Sequence, residues 1–402
     1  MALLKGINLP EAKRRNINLI KKVIYQYSPI SRAEIASMLS LTSATITNNV
    51  TTLINDGLVR EIETETTEPN NVGRKPIMIE IVPDYNYVVG VEISPKGVFM
   101  AACDLTGKVL HKQRVEMQDD EYFHSINFLC ESVEKFISGS RISKNKLLGV
   151  GVGIPGVIDH TTGEFKSRAW AVWKNHDIEK DLSQHLGLPV LVDNNVTARA
   201  VAEGLFDRTR PGTFAYLFVS RGIACPLMIQ SSILSRKVAG AGELGHMSIE
   251  TDGPLCPRCG DYGCLDLYAA EIGIIEKSIR AIKEGRSSML AQIENPEEIT
   301  ISEVLDAARN GDEAIIEILD SAVKYLAIGI CNIIKFICPE LVVVDAYIMS
   351  LETLKDKFLD YVDVHLSQNS WGSVEFVFKP YDAYGGAVSA AGNAINHFVL
   401  DT

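Results

Sequence analysis

The sequence predicts an α/β protein preceded by a winged helix-turn-helix, and three observations predict it. A helical apolar period opens the chain and gives way to a short β-like pair. From residue 87 onward, strand-like and helix-like segments alternate. Several of those strands are unbroken apolar runs, as in sheets covered on both faces.

Asn16 to Tyr27 places Ile17, Ile20, Val23 and Ile24 on one helical face, and Pro29 closes the segment. Ser31-Arg32-Ala33-Glu34 is a capping box that starts a second helix running to Leu39. After a turn at Ser40-Leu41, a third helix spans Thr42 to Asn55. Ile46, Val50, Leu53 and Ile54 repeat on one face, which leaves Ser43, Thr45, Asn48 and Asn49 on the other; Asp56-Gly57 ends the helix. Leu58 to Glu63 and Pro76 to Val82 form a hairpin, the wing, around a polar loop ending in Gly73-Arg74-Lys75-Pro76. The second helix of such a motif fits a DNA major groove. Asn48 and Asn49 suit paired hydrogen bonds to adenine, Arg32, Ser43, Thr45 and Thr47 suit bases or phosphates, and Arg74 and Lys75 suit the minor groove. The alternative is a trihelical unit for protein contacts; the exposed face of the third helix carries no acidic residue before Asp56, which favours DNA.

Strands follow at YVVGVEI, GVFMAACD and, after Leu105-Thr106-Gly107, KVLHKQRV, then an amphipathic helix from Tyr122 to Ser138. LLGVGVGI, residues 147 to 154, is a central strand ending in Pro155-Gly156. PVLVDNN, AVAEGLF, TFAYLFVS, a long helix from Ser321 to Cys338, ELVVVDA and a C-terminal helix near Gly386 to Phe398 continue the alternation. The likeness of YVVGVEI…GVFMAACDLTG to FAYLFVS…CPLMIQ hints at a duplicated half.

With 402 residues, the chain exceeds the roughly 100–200 of a usual domain, so two or three units are expected. Its 46% apolar and 22% charged residues exclude disorder and fibrous repeats. No apolar run approaches the roughly 20 residues of a membrane helix and the start lacks a secretory apolar stretch, so a cytoplasmic protein with no membrane partner is expected. The net charge of −12 conceals an asymmetry: residues 1 to 60 hold eight Lys/Arg against three Asp/Glu, so the basic charge sits where the helix-turn-helix does.

Five of the eight cysteines are scattered, as buried thiols in a reducing compartment are; the other three are not. Gly242-Glu243-Leu244-Gly245-His246 is followed, nine residues on, by Cys256-Pro-Arg-Cys259-Gly-Asp-Tyr-Gly-Cys264. Three thiolates and one imidazole make a complete tetrahedral zinc set, closed to a reactive water and therefore structural.

These residues carry a family resemblance. GELGH…CPRCGDYGCLD resembles the signature of the ROK family (repressors, open reading frames and sugar kinases), and GVGIPGVID with the helix-turn-helix and GRKP start is similar to its repressor branch. One departure is that two residues separate the first two cysteines where the family commonly has one. The resemblance implies a two-lobed, actin-like, ribonuclease-H-type sugar-kinase fold behind the winged helix. It implies a winged helix at 1–85, a first lobe at 86–195 completed by 386–402, and a second lobe at 196–385 with the zinc segment and dimerisation helices. It further implies a monosaccharide held by Asn194, Asn195, Glu243, His246 and Asp266. The expected function is a homodimeric or larger repressor on an inverted-repeat operator, with an aldose such as glucose or xylose as inducer.

The same resemblance tests for kinase chemistry, which needs a carboxylate base and bare backbone turns for phosphates. The family's catalytic Asp corresponds to Asn195, whose amide is no base. Its first phosphate turn corresponds to Glu92-Ile93-Ser94-Pro95-Lys96, its second to Ser220-Arg221-Gly222-Ile223-Ala224-Cys225-Pro226, and its adenosine-side Gly-Gly to Asp345-Ala346. No enzyme activity is therefore expected; the alternative is an active sugar kinase with an added DNA-binding domain.

Overall fold

Local signals set the N-terminal unit. In the computed structural model, which describes residues 8–63, 76–95, 97–117, 121–159, 162–166, 173–234, 240–286, 289–366 and 374–401, helix α1 spans Leu9–Tyr27. It starts seven residues before the apolar period, because the Asn8 side chain accepts from the Glu11 amide at 3.0 Å. Strand β1 (Ile30–Ser31) leads into α2 (Arg32–Leu39). Its capping box is complete: the Ser31 amide donates to Glu34 Oε2 at 2.8 Å, and the Glu34 amide donates to Ser31 Oγ at 3.3 Å. Helix α3 (Ser43–Asn55) is capped by Thr42. Strands β2 (Val59–Glu63) and β3 (Ile77–Ile81) pair antiparallel, and β1 adds to β3. Ile20, Ile24, Ile35, Ile46, Val50 and Leu53 fill the core between them.

The first lobe contains β4 (Tyr87–Ser94), β5 (Gly97–Asp104), β6 (Val109–Val115), α4 (Tyr122–Gly139), β7 (Leu147–Ile154), the small pair β8 (Val157–Ile158) and β9 (Phe165–Lys166), α5 (Ile178–Leu186) and β10 (Val190–Asn194). Its sheet runs β10-β7-β4-β5-β6. Helix α6 (Asn195–Phe206) leads to the second lobe: β11 (Phe214–Val219), β12 (Ile223–Ala224), β13 (Leu227–Ile229), β14 (Ser232–Ile233), α7 (Asp266–Ala269), α8 (Glu271–Lys283), α9 (Ile301–Arg309), α10 (Glu313–Ile337), β15 (Leu341–Ala346), α11 (Glu352–Leu366) and β16 (Glu375–Phe378). Helix α12 (Gly385–Ile395) closes the chain and continues as a wider turn to Leu400. Helix α10 begins eight residues earlier than its apolar run suggested, because Asp312 caps it.

The duplication hint holds as topology. β4 pairs antiparallel with β5 and parallel with β7, and β7 pairs parallel with β10. β11 likewise pairs antiparallel with β13 and parallel with β15, which pairs parallel with β16. The two-residue period of these strands sorts their side chains between layers. Val89 and Val91 face α4 and α5, whereas Val88 faces α12; in β15, Val342 and Val344 face α10 while Leu341 and Val343 face α6. Sheet, α12, α6 and sheet are therefore stacked, with the two helices in contact. Gly90 and Gly151 permit this, since a Cβ there would lie 1.9 and 2.1 Å from the carbonyl oxygens of Ala387 and Ala390.

The winged helix rests on the far ends of α12 and α6. Ala391, Ala394, Ile395, Val399 and Leu400 belong to the same apolar cluster as Ile20, Ile24 and Ile35. Lys22 pairs with Asp401 at 2.6 Å, Tyr25 donates to the Leu105 carbonyl, and Arg208, just past α6, donates to the Ser28 carbonyl.

Candidate functional site

Helix α3 exposes Ser43, Thr47 and Asn48, with Thr45 half-buried beside Thr42. Asn49 corrects the sequence expectation. It is only 7% exposed, and its amide donates to the Thr45 carbonyl at 2.8 Å, because it lies three residues after Ile46 and four before Leu53, on the inward stripe. Arg32 is held to the wing sheet by Glu61 at 2.6 Å. Arg74, Lys75 and Lys96 lie outside the described residues.

The cysteine segment folds as a knuckle. Isolated bridges join Ser248 to Cys264 and Leu255 to Tyr262, the Cys256 amide donates to the Asp261 carbonyl at 2.7 Å, and Gly260 turns the chain at φ +85°. His246, Cys256, Cys259 and Cys264 bring their ligand atoms within 4.8 Å of one another. Cys259 and Cys264 sulfurs lie 3.4 Å apart, and the Cys256 sulfur lies 3.9 Å from His246 Nδ1, within a few tenths of an ångström of the ~3.8 Å sulfur–sulfur and ~3.5 Å sulfur–nitrogen edges that bonds of ~2.3 and ~2.0 Å to zinc imply for a tetrahedron. The extra residue between Cys256 and Cys259 thus leaves Cys256 in the set. Burial and the neighbouring Cys259 and Cys256 sulfurs push the Cys264 thiol up to about 12, an energetic obstacle to ionising all three thiols that a bound divalent cation would remove. The donor set fits a structural zinc ion.

Five residues were expected around a sugar, and the structure divides them. Glu243 precedes and His246 ends a tight turn at Leu244–His246, and Asp266 begins α7. Burial pushes the Glu243 carboxyl up, partly offset by His246 and Arg258. Among the described residues, the side chains of Glu243 and Asn195 take no hydrogen-bond partner, which leaves their polar atoms for a ligand. Asp266 and Asn194 differ from expectation. Asp266 is 2% exposed, with one oxygen accepting from the Ile223 amide at 2.8 Å and the other from Arg258 at 2.9 Å. Asn194 caps α6 through its oxygen, accepting from the Val196 and Thr197 amides, while its nitrogen donates to the Gly156 carbonyl at 2.7 Å. Both side chains hold backbone in place, because each sits where a strand or knuckle turns into a helix and first-turn amides or turn amides need acceptors.

The positions of the expected phosphate turns are filled by side chains. Arg258, to which the sequence assigned no role, would meet a Cβ on Gly222 at 2.6 Å, so it lies across the Ser220–Pro226 turn. Glu92 is buried and pairs with Arg199 at 2.9 Å; Arg199 also reaches Asp345 at 3.2 Å. The signal for Arg199 was a lone cation in the small-residue run Thr197-Ala198-Arg199-Ala200-Val201-Ala202.

Residues 88–395 match the ROK family. The chain belongs to the ROK family. The chain is similar to the xylose repressor of Caldicellulosiruptor bescii, at 27% identity over 83% of each chain. Its fold is that of a ROK family transcriptional regulator described as a homolog of the E. coli MLC protein, with a TM-score of 0.80, 22% identity and coverage of 97% and 98% of the two chains. A ROK family glucokinase from Streptomyces griseus, solved with glucose and AMPPNP, aligns at a TM-score of 0.66 and 20% identity over 76% of this chain and 98% of that one. The part of this ROK protein beyond the kinase-like body includes the winged helix. Among the described residues, no helix is long and apolar enough to cross a membrane.

Proposed function

We propose that this ROK protein is a cytoplasmic, sugar-responsive transcriptional repressor without kinase activity. It binds double-stranded DNA at an inverted repeat as a homodimer or larger homo-oligomer, because two-fold protein symmetry imposes two-fold operator symmetry. A monosaccharide, with xylose the first to test given the named relative, binds between the lobes against Glu243, His246 and Asn195 and induces release. His246, Cys256, Cys259 and Cys264 hold zinc. With Nδ1 toward the thiols, the opposite nitrogen, Nε2, is the one left for a hydroxyl, and the metal fixes the ring's orientation.

The observation that carries this reading is the core shared by the winged helix and α12, which makes the DNA-reading unit and the ROK body one mechanical piece. Absence of phosphoryl transfer is supported by Asn195 at the base position and by the side chains filling the phosphate turns. The test is operator binding by fluorescence anisotropy with and without D-xylose and D-glucose, alongside a coupled kinase assay with the same sugars. Operator affinity that falls with one sugar, and no phosphorylation above a no-protein control, is the expected result.

A further inference from the structure

The layer between the two sheets is largely apolar, and charged groups from both sheets meet within it at Arg199. The two-residue strand period directs Glu92 of β4 and Asp345 of β15 into that layer, from opposite sheets, where their strand neighbours Val88 and Val343 are apolar. Arg199, one turn into α6, lies between them: 2.9 Å from Glu92 and 3.2 Å from Asp345, with its guanidinium 4.8 Å from the centre of the Phe218 ring. The Tyr216 hydroxyl donates to Asp345 at 2.8 Å. The side chains of Glu92, Arg199 and Asp345 are 8, 11 and 18% exposed.

Gly385 and Gly386, the first turn of α12, form the fourth side. A Cβ on Gly386 would lie 1.9 Å from the Glu92 carboxyl carbon, and one on Gly385 3.3 Å from an Arg199 nitrogen. The Glu92 carboxylate therefore sits at the positive end of an eleven-residue helix. Burial works against the Arg199 charge, but Glu92 and Asp345 more than offset it and raise its pKa. A buried ionic set of this kind is a poor source of stability compared with apolar packing; where retained, its best-attested use is to hold a particular arrangement.

Both helices that meet this bridge end at the winged helix. The chain leaves α6 at Phe206 and, two residues on, Arg208 holds the Ser28 carbonyl; past α12, which runs from the glycine pair to Ile395, the wider turn carries Val399, whose carbonyl accepts from Lys21 at 2.9 Å. We propose that Arg199 is a positioning residue which, by clamping Glu92 and Asp345, ties both sheets to the α6–α12 pair, so that displacement of one lobe against the other reaches the winged helix through the far ends of those helices. The inference rests on the repressor reading only for what the displacement does to DNA.

The decisive experiment is hydrogen exchange on the full chain without ligand, comparing the parent with the neutral triple variant Glu92→Gln/Arg199→Met/Asp345→Asn, which leaves no unpaired charge. We expect exchange about tenfold faster or more in the first turns of α12 and also in residues 20–27 of α1. Faster exchange confined to β4, β15 and α6, with α1 unchanged, overturns the proposal, since a merely local ion pair would do that. Arg199→Lys, whose single ammonium cannot span both carboxylates in the same geometry, should show the same pattern more weakly and is the comparison to use should the triple variant fold poorly; an unchanged α1 in it counts equally against the proposal. In parallel, a panel of aldoses including D-xylose and D-glucose is titrated against operator-bound parent and variant: a parent that ignores every aldose refutes the sugar reading, while the exchange result still decides the role of Arg199.

Discussion

Lys21 Nζ donates to the Val399 carbonyl at 2.9 Å, fastening the first helix of the winged unit to the last turn of the chain. The contact spans 378 residues in sequence. It means that α12, inserted between the sheet of the first lobe and α6, is also a structural support of the DNA-reading unit. Asp401 holds the adjacent Lys22, and Val399 and Leu400 supply apolar surface to α1.

Asn48 and Asn49 should separate cleanly on substitution. Asn48→Ala should alter base preference at a selected operator by roughly 1–3 kcal/mol for a bidentate contact, with the melting temperature unchanged. Asn49→Ala should instead lower the melting temperature, since its amide is buried on the Thr45 carbonyl, and should weaken all operators alike. Binding-site selection followed by anisotropy on both variants distinguishes the two. Arg74→Ala should weaken binding with a shallower salt dependence.

Purified protein should contain about one zinc per chain that resists dialysis. Cys264→Ser should lose the metal, measured by elemental analysis, and with it sugar binding, because the knuckle that carries Arg258 and orients His246 would come free. Metal-free protein that still binds sugar normally would detach the knuckle from the cleft.

Sugar-dependent ATP hydrolysis should be absent, and Asn195→Asp alone should not restore it, because Arg258 lies across one phosphate turn and Glu92 is committed to Arg199 at the other. Glu243→Ala should hold operator normally yet ignore sugar. Linkage sets a further check: if sugar weakens operator affinity by some factor, operator must weaken sugar affinity by the same factor. Calorimetry with and without operator DNA measures both sides.

Gly151→Ala should destabilise the full chain by about 3 kcal/mol or more, since the added Cβ would lie 2.1 Å from the Ala390 carbonyl oxygen and would push α12 off its sheet. Chemical denaturation reads the loss, and operator affinity should fall with it if α12 supports the winged helix. Gly187→Ala, where a Cβ meets nothing within 4 Å, is the control for packing, and its effect should be limited to backbone strain at φ +62°.

Much of this protein is written in short-range patterns. The capping box at Ser31 and Glu34 is a local exchange of hydrogen bonds, so it reads directly from four residues. The apolar runs at 147–154 and 341–344 identify strands covered on both faces, and the spacing of His246, Cys256, Cys259 and Cys264 identifies a ligand set, because residues close in sequence must be close in space. Asn49 was also within reach, since its helical phase relative to Ile46 and Leu53 places it inward. What tertiary structure alone decided is which polar side chains face each other across long separations. Glu92, Arg199 and Asp345 are 107 and 146 residues apart, Asp266 meets the Ile223 amide, and Lys21 meets Val399. The alternation of a strand says that Glu92 and Asp345 point into a layer, but not that the two layers are the same one. That follows only once α12 and α6 are stacked between two sheets, and charges buried there must then find each other because burial strips most of their solvation.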